Sequence, residues 1–182
     1  MKLKYNAPFV LTYALISAGL MLYVDITGNM AIMDYFITRP GMSFSDPMTY
    51  VRLVSHVIGH ANWEHLASNF TFILLLGPML EEKYGTLPLL VMSVITAVVT
   101  GVLNNFFFST GLMGASGIVF MMILLSSFAN VKAGTIPLTF ILILVLFLGQ
   151  EFMRGFDENN ISELAHIVGG VVGSFFGFAR TK

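Results

Sequence analysis

The sequence contains no cysteine, little charge and no excess of basic residues. Without cysteine, disulfides, thiolate metal sites and a cysteine nucleophile are all excluded. Nine Lys and Arg against ten Asp and Glu give a formal net charge of −1, which offers no basic patch for nucleic acid. Charged residues make up only 10% of the 182 residues, whereas soluble domains average about 25%.

Hydrophobic residues make up 56% of the sequence, and the mean hydropathy is +0.82. Between Lys83 and Lys132 stand 48 residues, 84–131, without one charged side chain. A soluble globule of this length could not bury so much apolar surface, so lipid must solvate it. The composition therefore predicts a polytopic membrane protein whose surroundings are the lipid bilayer.

The apolar runs set the number of spans, because a helix needs roughly 20 residues to cross about 30 Å of hydrocarbon. The run 8–24 is long for a signal-peptide core and no clear cleavage site follows, which predicts a retained first span. The uncharged block would form a helix about 72 Å long, so it must fold back, and "NNFFFSTGLMG" marks the break. The predicted fold class is an all-α polytopic bundle in a single domain, 1–182, with residues 25–62 as a long, partly embedded first loop. Its six transmembrane helices are predicted at 8–24, 63–80, 86–104, 115–130, 135–150 and 162–179.

The positive charges predict the orientation of this bundle. Six Lys and Arg side chains fall on one side and three on the other, and eight of the ten acids fall on the side with fewer positive charges. The positive-inside rule then predicts that both termini are cytoplasmic and that the polar breaks near His60, Ser109 and Asn159 face outward.

A few polar residues near the outer helix ends are conspicuous, because an unsatisfied polar group in hydrocarbon costs several kcal/mol. Ser116 lies in "GASG" near the start of the fourth span, and His166 lies near the start of the sixth. Both spans run inward, so the two residues are predicted at similar depth, where the imidazole could accept the proton of a serine nucleophile. Gly169, Gly173 and Gly177 form a small-residue seam that would let the two helices touch.

The start of the fourth span is also a suitable place for an oxyanion, since free N–H groups and the helix dipole favour negative charge there. Gly114 and Gly117 leave the backbone open to an approaching substrate. His65 and Asn69, at i and i+4 on one helix face, could add side-chain donors.

Other interpretations of the same residues stay open at this point. "GASG" is common wherever membrane helices pack, and it does not match the G-x-S-x-G nucleophile elbow. His56 and His60 have helix-face metal spacing, and with His65 and His166 they make four possible imidazole ligands for zinc or haem. Glu163 could orient His166, although a solvated helix start is the simpler role, so a Ser–His dyad is expected rather than a triad.

Four motifs, in this order, resemble the rhomboid family of intramembrane serine proteases and most closely its compact six-helix bacterial members. They are "RLVSHVIGHANWEHLASN" (52–69), "EEKYG" (81–85), "GASG" (114–117) and "AHIVGGVVG" (165–173). The resemblance covers nearly the whole chain from about residue 50 to 178. It implies cleavage of transmembrane segments of other proteins, without cofactor or metal, at a site opening to the outer side of the bacterial inner membrane.

The resemblance also implies a role for each matching residue. Ser116 is the nucleophile, His166 is the base and then the acid, and His65 and Asn69 stabilise the oxyanion together with the Ser116 amide. The residues with an implied supporting role are Arg52, His60, Glu81, Gly114, Gly117, Phe120 and Gly169.

Two positions depart from the family pattern. Val51–Arg52 stands where Trp-Arg is frequent, so the first loop is expected to pack differently there. Phe120 stands where Tyr is frequent, which keeps ring stacking on the histidine but removes a phenol hydrogen bond. Neither change removes a catalytic group. A non-catalytic rhomboid-like scaffold that binds membrane helices would be expected to lack Ser116 or His166, and both are present.

Overall fold

A computed structural model describes residues 3–129, 135–154 and 161–180, with the side chains of 147–154, 161–166 and 180 outside the description. All regular structure in these ranges is helical, as the composition predicted. The elements are α1 (Pro8–Thr27), a 3-10 helix (Met30–Tyr35), α2 (Pro47–Ser55), α3 (Trp63–Tyr84), α4 (Thr86–Phe107), α5 (Ser116–Ser126), α6 (Leu138–Arg154) and α7 (Ile161–Arg180).

Every α-helix of the described ranges except the short α2 coincides with a predicted span. Four helices, α1, α3, α4 and α6, run three or four residues beyond their predicted ends, whereas the end of α5 and the start of α6 fall short of the prediction. The fourth span was expected to reach residue 130, whereas α5 ends at Ser126. The chain tightens there into i→i−3 bonds, such as the one from the Ser127 amide to the Leu124 carbonyl at 3.2 Å. The fifth span was expected from 135, whereas α6 begins at Leu138. Pro137 directly precedes it and accepts the Ile141 amide at 3.3 Å, a position where its missing N–H costs nothing.

The predicted break in the uncharged block is confirmed, because α4 ends at Phe107 and α5 begins at Ser116, but the first two residues of the predicted break, Asn104 and Asn105, still lie inside α4. Their amides bond to backbone outside the helix: Asn104 Nδ2 donates to the Thr110 carbonyl at 2.9 Å, and Asn105 Oδ1 accepts the Met42 amide at 2.6 Å. Two polar side chains with such partners need not interrupt an apolar helix.

The predicted stop at Gly85 is confirmed. Gly85 has φ +92° and separates α3 from α4, and its amide donates to the Glu81 carbonyl at 2.9 Å. Only glycine adopts this backbone conformation at little cost, so the chain reverses here.

Two helices of the described ranges are long and apolar enough to cross a bilayer by length and composition, α1 and α4. Their mean hydropathies are 1.8 and 2.2 over the best window. Ser116–Ser126 and Ile167–Ala179 are shorter apolar helices.

The α5 helix occupies the middle of the structure, in contact with α3, α4 and α7. It is apolar on all sides, which is typical of a helix that is surrounded by other helices or by lipid. Its fully buried side chains are Ile118, Met121, Met122, Leu124 and Leu125. Because α5 is enclosed in this way, its first residue, Ser116, has a fixed position at the end of the core.

Candidate active site

Ser116 is the first residue of α5, and its side chain is partly exposed. The preceding residue, Ala115, is fully buried and accepts the Val119 amide at 3.0 Å, so the helix start is anchored in the core. The first amides of any α-helix lack intrahelical acceptors and form the positive end of the helix dipole. A hydroxyl at this point therefore stands beside donors suited to an anion.

Gly114 brings the loop before Ser116 against α3. Its φ is +126°, and a Cβ atom at this position would lie 2.6 Å from His65 Cε1 and 2.8 Å from His65 Nε2. The same atom would lie 3.7 Å from Asn69 Nδ2. Only glycine permits both this backbone conformation and this approach. The structure thus brings Gly114, His65 and Asn69 together, two residues before Ser116 in the chain.

Asn69 carries an unused donor at this place. The side chain is 6% exposed, and Nδ2 is buried without a hydrogen-bond partner among the described residues. A buried donor left in this state costs about 1–3 kcal/mol. Four other buried polar atoms of the described residues share this state, but Asn69 Nδ2 is the one beside Gly114 and the start of α5, where an incoming acceptor is one explanation for it.

His65 presents a ring nitrogen to the same loop. Asn62 caps α3 by accepting the His65 amide at 2.8 Å, which fixes the start of the helix. The ring Nδ1 lies 3.5 Å from the Ala61 amide nitrogen, whose hydrogen it accepts, which leaves Nε2 as the other ring nitrogen. Nε2 is the atom near Gly114, where it can act as a donor.

The α5 and α7 helices run parallel at backbone contact. A Cβ atom on Gly169 would collide with the Gly117 carbonyl, one on Gly173 with the Met121 carbonyl, and one on Gly177 with the Phe128 ring. Gly169 faces Gly117 and Gly173 faces Met121, so the residue numbers increase in the same direction along both helices, which are therefore parallel. This arrangement agrees with the small-residue seam that the sequence indicated.

His166 lies in α7, one turn before Gly169, and its side chain is outside the described residues, as is that of Glu163. With Gly169 beside Gly117 and about 1.5 Å of rise per residue, the His166 backbone lies about 3 Å nearer the N-terminal ends of the two parallel helices than that of Ser116. The distance between the two side chains therefore stays a prediction.

Glu81 lies far from Ser116 and joins three helices. It is 4% exposed, and its two carboxylate oxygens accept the Phe9 and Val10 amides at 2.9 and 3.0 Å. The Thr86 hydroxyl donates to Oε1 at 2.8 Å. The carboxylate therefore caps the positive N-terminus of α1 from the end of α3.

Arg52 and His60 belong to the connection between α1 and α3. Arg52 Nε donates to the Asp34 carbonyl at 2.8 Å, which links α2 to the 3-10 helix. The His60 ring packs against His65 and Phe70, with centroids 5.0 and 5.7 Å apart. Both residues thus support the segment that leads into α3.

Burial keeps two histidines of this connection neutral at pH 7. Loss of solvation lowers the pKa of His56 and that of His60 to about 4. The His56 ring also bonds through Nδ1 to the Arg52 carbonyl, at 3.1 Å. Within the described residues, no three His, Asp or Glu side chains come together as metal ligands.

Phe120 lies one turn after Ser116 in α5 and is partly buried. The sequence interpretation missed two other residues near the site, Thr38 and Asn104, which bond to the loop before α5. A buried asparagine in an uncharged block was the available signal, since such an amide needs partners.

Comparisons with known proteins identify the family of the chain. The family model described as Rhomboid domain matches residues 47–182. The Rhomboid protease GlpG of Haemophilus influenzae is 24% identical over 174 residues, which are 92% of this chain and 90% of the relative. The Rhomboid proteases GlpG of Yersinia pestis and Yersinia pseudotuberculosis are 27% identical over 181 residues, 96% of this chain, and the chain spans 63% of their length. The chain belongs to the rhomboid family of intramembrane serine proteases.

Proposed function

We propose that this chain cleaves peptide bonds in membrane-spanning segments of other proteins, with Ser116 as nucleophile and His166 as its base. The observation that carries the proposal is the meeting of Gly114, His65 and Asn69 directly before Ser116, at the start of a buried helix. This cluster combines a hydroxyl, an electropositive helix end and two donors in one place.

In the proposed reaction Ser116 Oγ attacks the carbonyl carbon of the scissile bond while His166 takes the hydroxyl proton. The tetrahedral intermediate collapses to an acyl-enzyme ester, and His166 gives the proton to the departing amine. Water then attacks the ester with His166 again as base, which releases the carboxylate product and restores the serine.

The negative oxygen of the intermediate is assigned to three donors: Asn69 Nδ2, His65 Nε2 and the backbone amide of Ser116. The missing partner of Asn69 Nδ2 supports this assignment, because the oxyanion would supply the acceptor that the described residues lack. Gly114 supports it as well, since any side chain there would occupy the space between the loop and His65.

The family and its bacterial relatives indicate a protein of the bacterial inner membrane. We infer that six helices cross the bilayer (α1 and α3–α7) as a single domain. We infer further that both termini are cytoplasmic and that the segment between α1 and α3 is partly embedded. The site then opens to the outer side, where water reaches Ser116.

The remaining roles are also proposals. Glu81, Arg52 and His60 hold the helix ends and the connection between α1 and α3. Gly117 and Gly169 let α5 and α7 approach, and Phe120 packs one turn below the nucleophile.

Replacement of the nucleophile tests this proposal directly. In proteoliposomes containing a transmembrane substrate, Ser116→Ala is expected to lower kcat by at least about 1,000-fold, because the proposed ester forms on the Ser116 hydroxyl. Ser109→Ala, in the exposed loop before α5, is the matched control and should cleave at the wild-type rate. Retained cleavage by a folded Ser116→Ala protein would contradict the proposal.

A further inference from the structure

The segment leading into Ser116 is held on one side by buried polar groups. The Leu112 amide donates to Thr38 Oγ1 at 2.8 Å, and the Leu112 carbonyl accepts the Thr38 amide at 3.0 Å. Two residues earlier, the Thr110 carbonyl accepts a hydrogen bond from Asn104 Nδ2 at 2.9 Å. Thr38 and Asn104 also bond to each other, at 3.1 Å. We call these two residues the Thr38–Asn104 clamp.

The clamp is shielded from water. Thr38 is fully buried and Asn104 is 1% exposed. Because water cannot replace a lost partner in such a place, each hydrogen bond specifies geometry more strictly than a bond at the surface. The clamp also joins distant parts of the chain, since Thr38 is 74 residues from Leu112 and 66 from Asn104.

Close packing removes the remaining freedom of this segment. A Cβ atom on Gly111 would lie 2.5 Å from the Thr38 carbonyl oxygen and 2.9 Å from Ile37 Cδ1. The backbone of the segment therefore lies directly against residues 37 and 38. On the other side of Leu112, the Gly114 amide donates to the His56 carbonyl at 3.0 Å.

We propose that Thr38 and Asn104 are positioning residues for the reaction. The clamp fixes Leu112, two residues before the Gly114 backbone that faces His65 and four residues before Ser116. A shift at Leu112 would therefore move the nucleophile relative to the proposed oxyanion donors. This inference rests on the proposed role of Ser116.

The change Thr38→Val isolates the hydroxyl. Valine has nearly the same shape, so packing is kept while the Leu112 and Asn104 N–H groups lose their shared acceptor. A displacement of about 1 Å in catalytic geometry can cost about 100-fold in rate. We expect kcat to fall between about 10-fold and 100-fold, with KM changed less than about threefold, because the clamp touches no substrate. Thr38→Ser, which keeps the oxygen, should restore at least half of the wild-type kcat.

A matched control comes from the same connection. Thr49 is 1% exposed, and its hydroxyl donates to the Ser43 carbonyl at 2.7 Å, away from the segment before α5. Thr49→Val removes one partly buried hydrogen bond from an equally buried threonine and should leave kcat unchanged. Thermal unfolding of Thr38→Val and Thr49→Val shows whether both variants lose similar stability, so that a difference in kcat reports positioning rather than folding.

Two outcomes would overturn the inference. One is a folded Thr38→Val protein with the wild-type kcat. If Thr38→Val does not fold, Asn104→Leu removes the other half of the clamp, and a folded Asn104→Leu protein with the wild-type kcat would overturn the inference in the same way. The other comes from hydrogen exchange of the wild-type protein, in which the Leu112 amide must exchange far more slowly than an unbonded loop amide. Failure of the proposed function looks different, since the wild-type protein and Ser116→Ala would then cleave alike.

Discussion

A methyl group at position 169 tests the contact between α5 and α7 on which the proposed dyad depends. The Cβ of an alanine there would lie 2.8 Å from the Gly117 carbonyl carbon and 3.0 Å from its Cα, and it would collide with the carbonyl oxygen. Carbon atoms in contact stand about 3.5–4.0 Å apart. The α7 helix must therefore retreat by about 1 Å, because both partners are backbone and neither can rotate away.

The size of the effect follows from this displacement. Overpacking of this kind costs about 1–3 kcal/mol, of which alanine's better helix propensity returns up to about 1 kcal/mol. His166 lies on the helix that moves, one turn before the substitution. A shift of about 1 Å between nucleophile and base lowers the rate about 100-fold. Gly169→Ala should thus lose far more activity than its modest loss of stability explains.

The assay compares thermal unfolding and kcat on a transmembrane substrate for Gly169→Ala and Gly19→Ala. Gly19 lies in α1, and a Cβ there would meet no atom within 4 Å. The Gly19→Ala control should keep full activity and equal or higher stability. Wild-type kcat in Gly169→Ala would refute the view that close approach of α7 to α5 aligns the dyad.

Three further changes test other parts of the structure. Glu81→Gln should lower the free energy of unfolding by about 1–3 kcal/mol, since it removes the charge that caps α1, whereas the exposed Glu82→Gln should change little in the same denaturation experiment. Stability should also fall as pH drops from 6.5 to 4. In the unfolded chain the two histidines bind protons at the ordinary pKa of 6.5, whereas in the folded protein His56 and His60 bind them only near pH 4. Each histidine therefore lowers the free energy of unfolding by about 1.4 kcal/mol per pH unit in this window. A thermal midpoint that does not change with pH would contradict this. Asn69→Ala should lower kcat about 100-fold without lowering the thermal midpoint, because its amide nitrogen lacks a partner among the described residues; a fall in stability with unchanged kcat would show a structural role instead.

The helices were predictable because each depends on a local pattern. Long apolar runs indicated α1 and α4, and Gly85 indicated the reversal between α3 and α4. The i, i+4 spacing of His65 and Asn69 likewise predicted one helix face, and both residues do approach Gly114 in the structure.

The contacts that depend on distant parts of the chain were not predictable in this way. Asn104 and Asn105 were predicted to begin the break after α4, whereas they lie in its last turns, and their partners Thr38 and Met42 lie more than 60 residues away. The short α2 helix was likewise hidden in a segment whose mixed polarity favours neither a span nor a free loop. Tertiary contacts, rather than local propensity, decide the structure at both places.

The most direct test of the central claim is covalent labelling of the folded, detergent-solubilised protein by a fluorophosphonate, a probe that reacts with activated serines. We expect a single adduct on Ser116, located by peptide mass spectrometry, and no labelling of Ser116→Ala. No adduct on a folded wild-type protein, or an adduct on another serine that persists in Ser116→Ala, would contradict the assignment of Ser116 as the nucleophile.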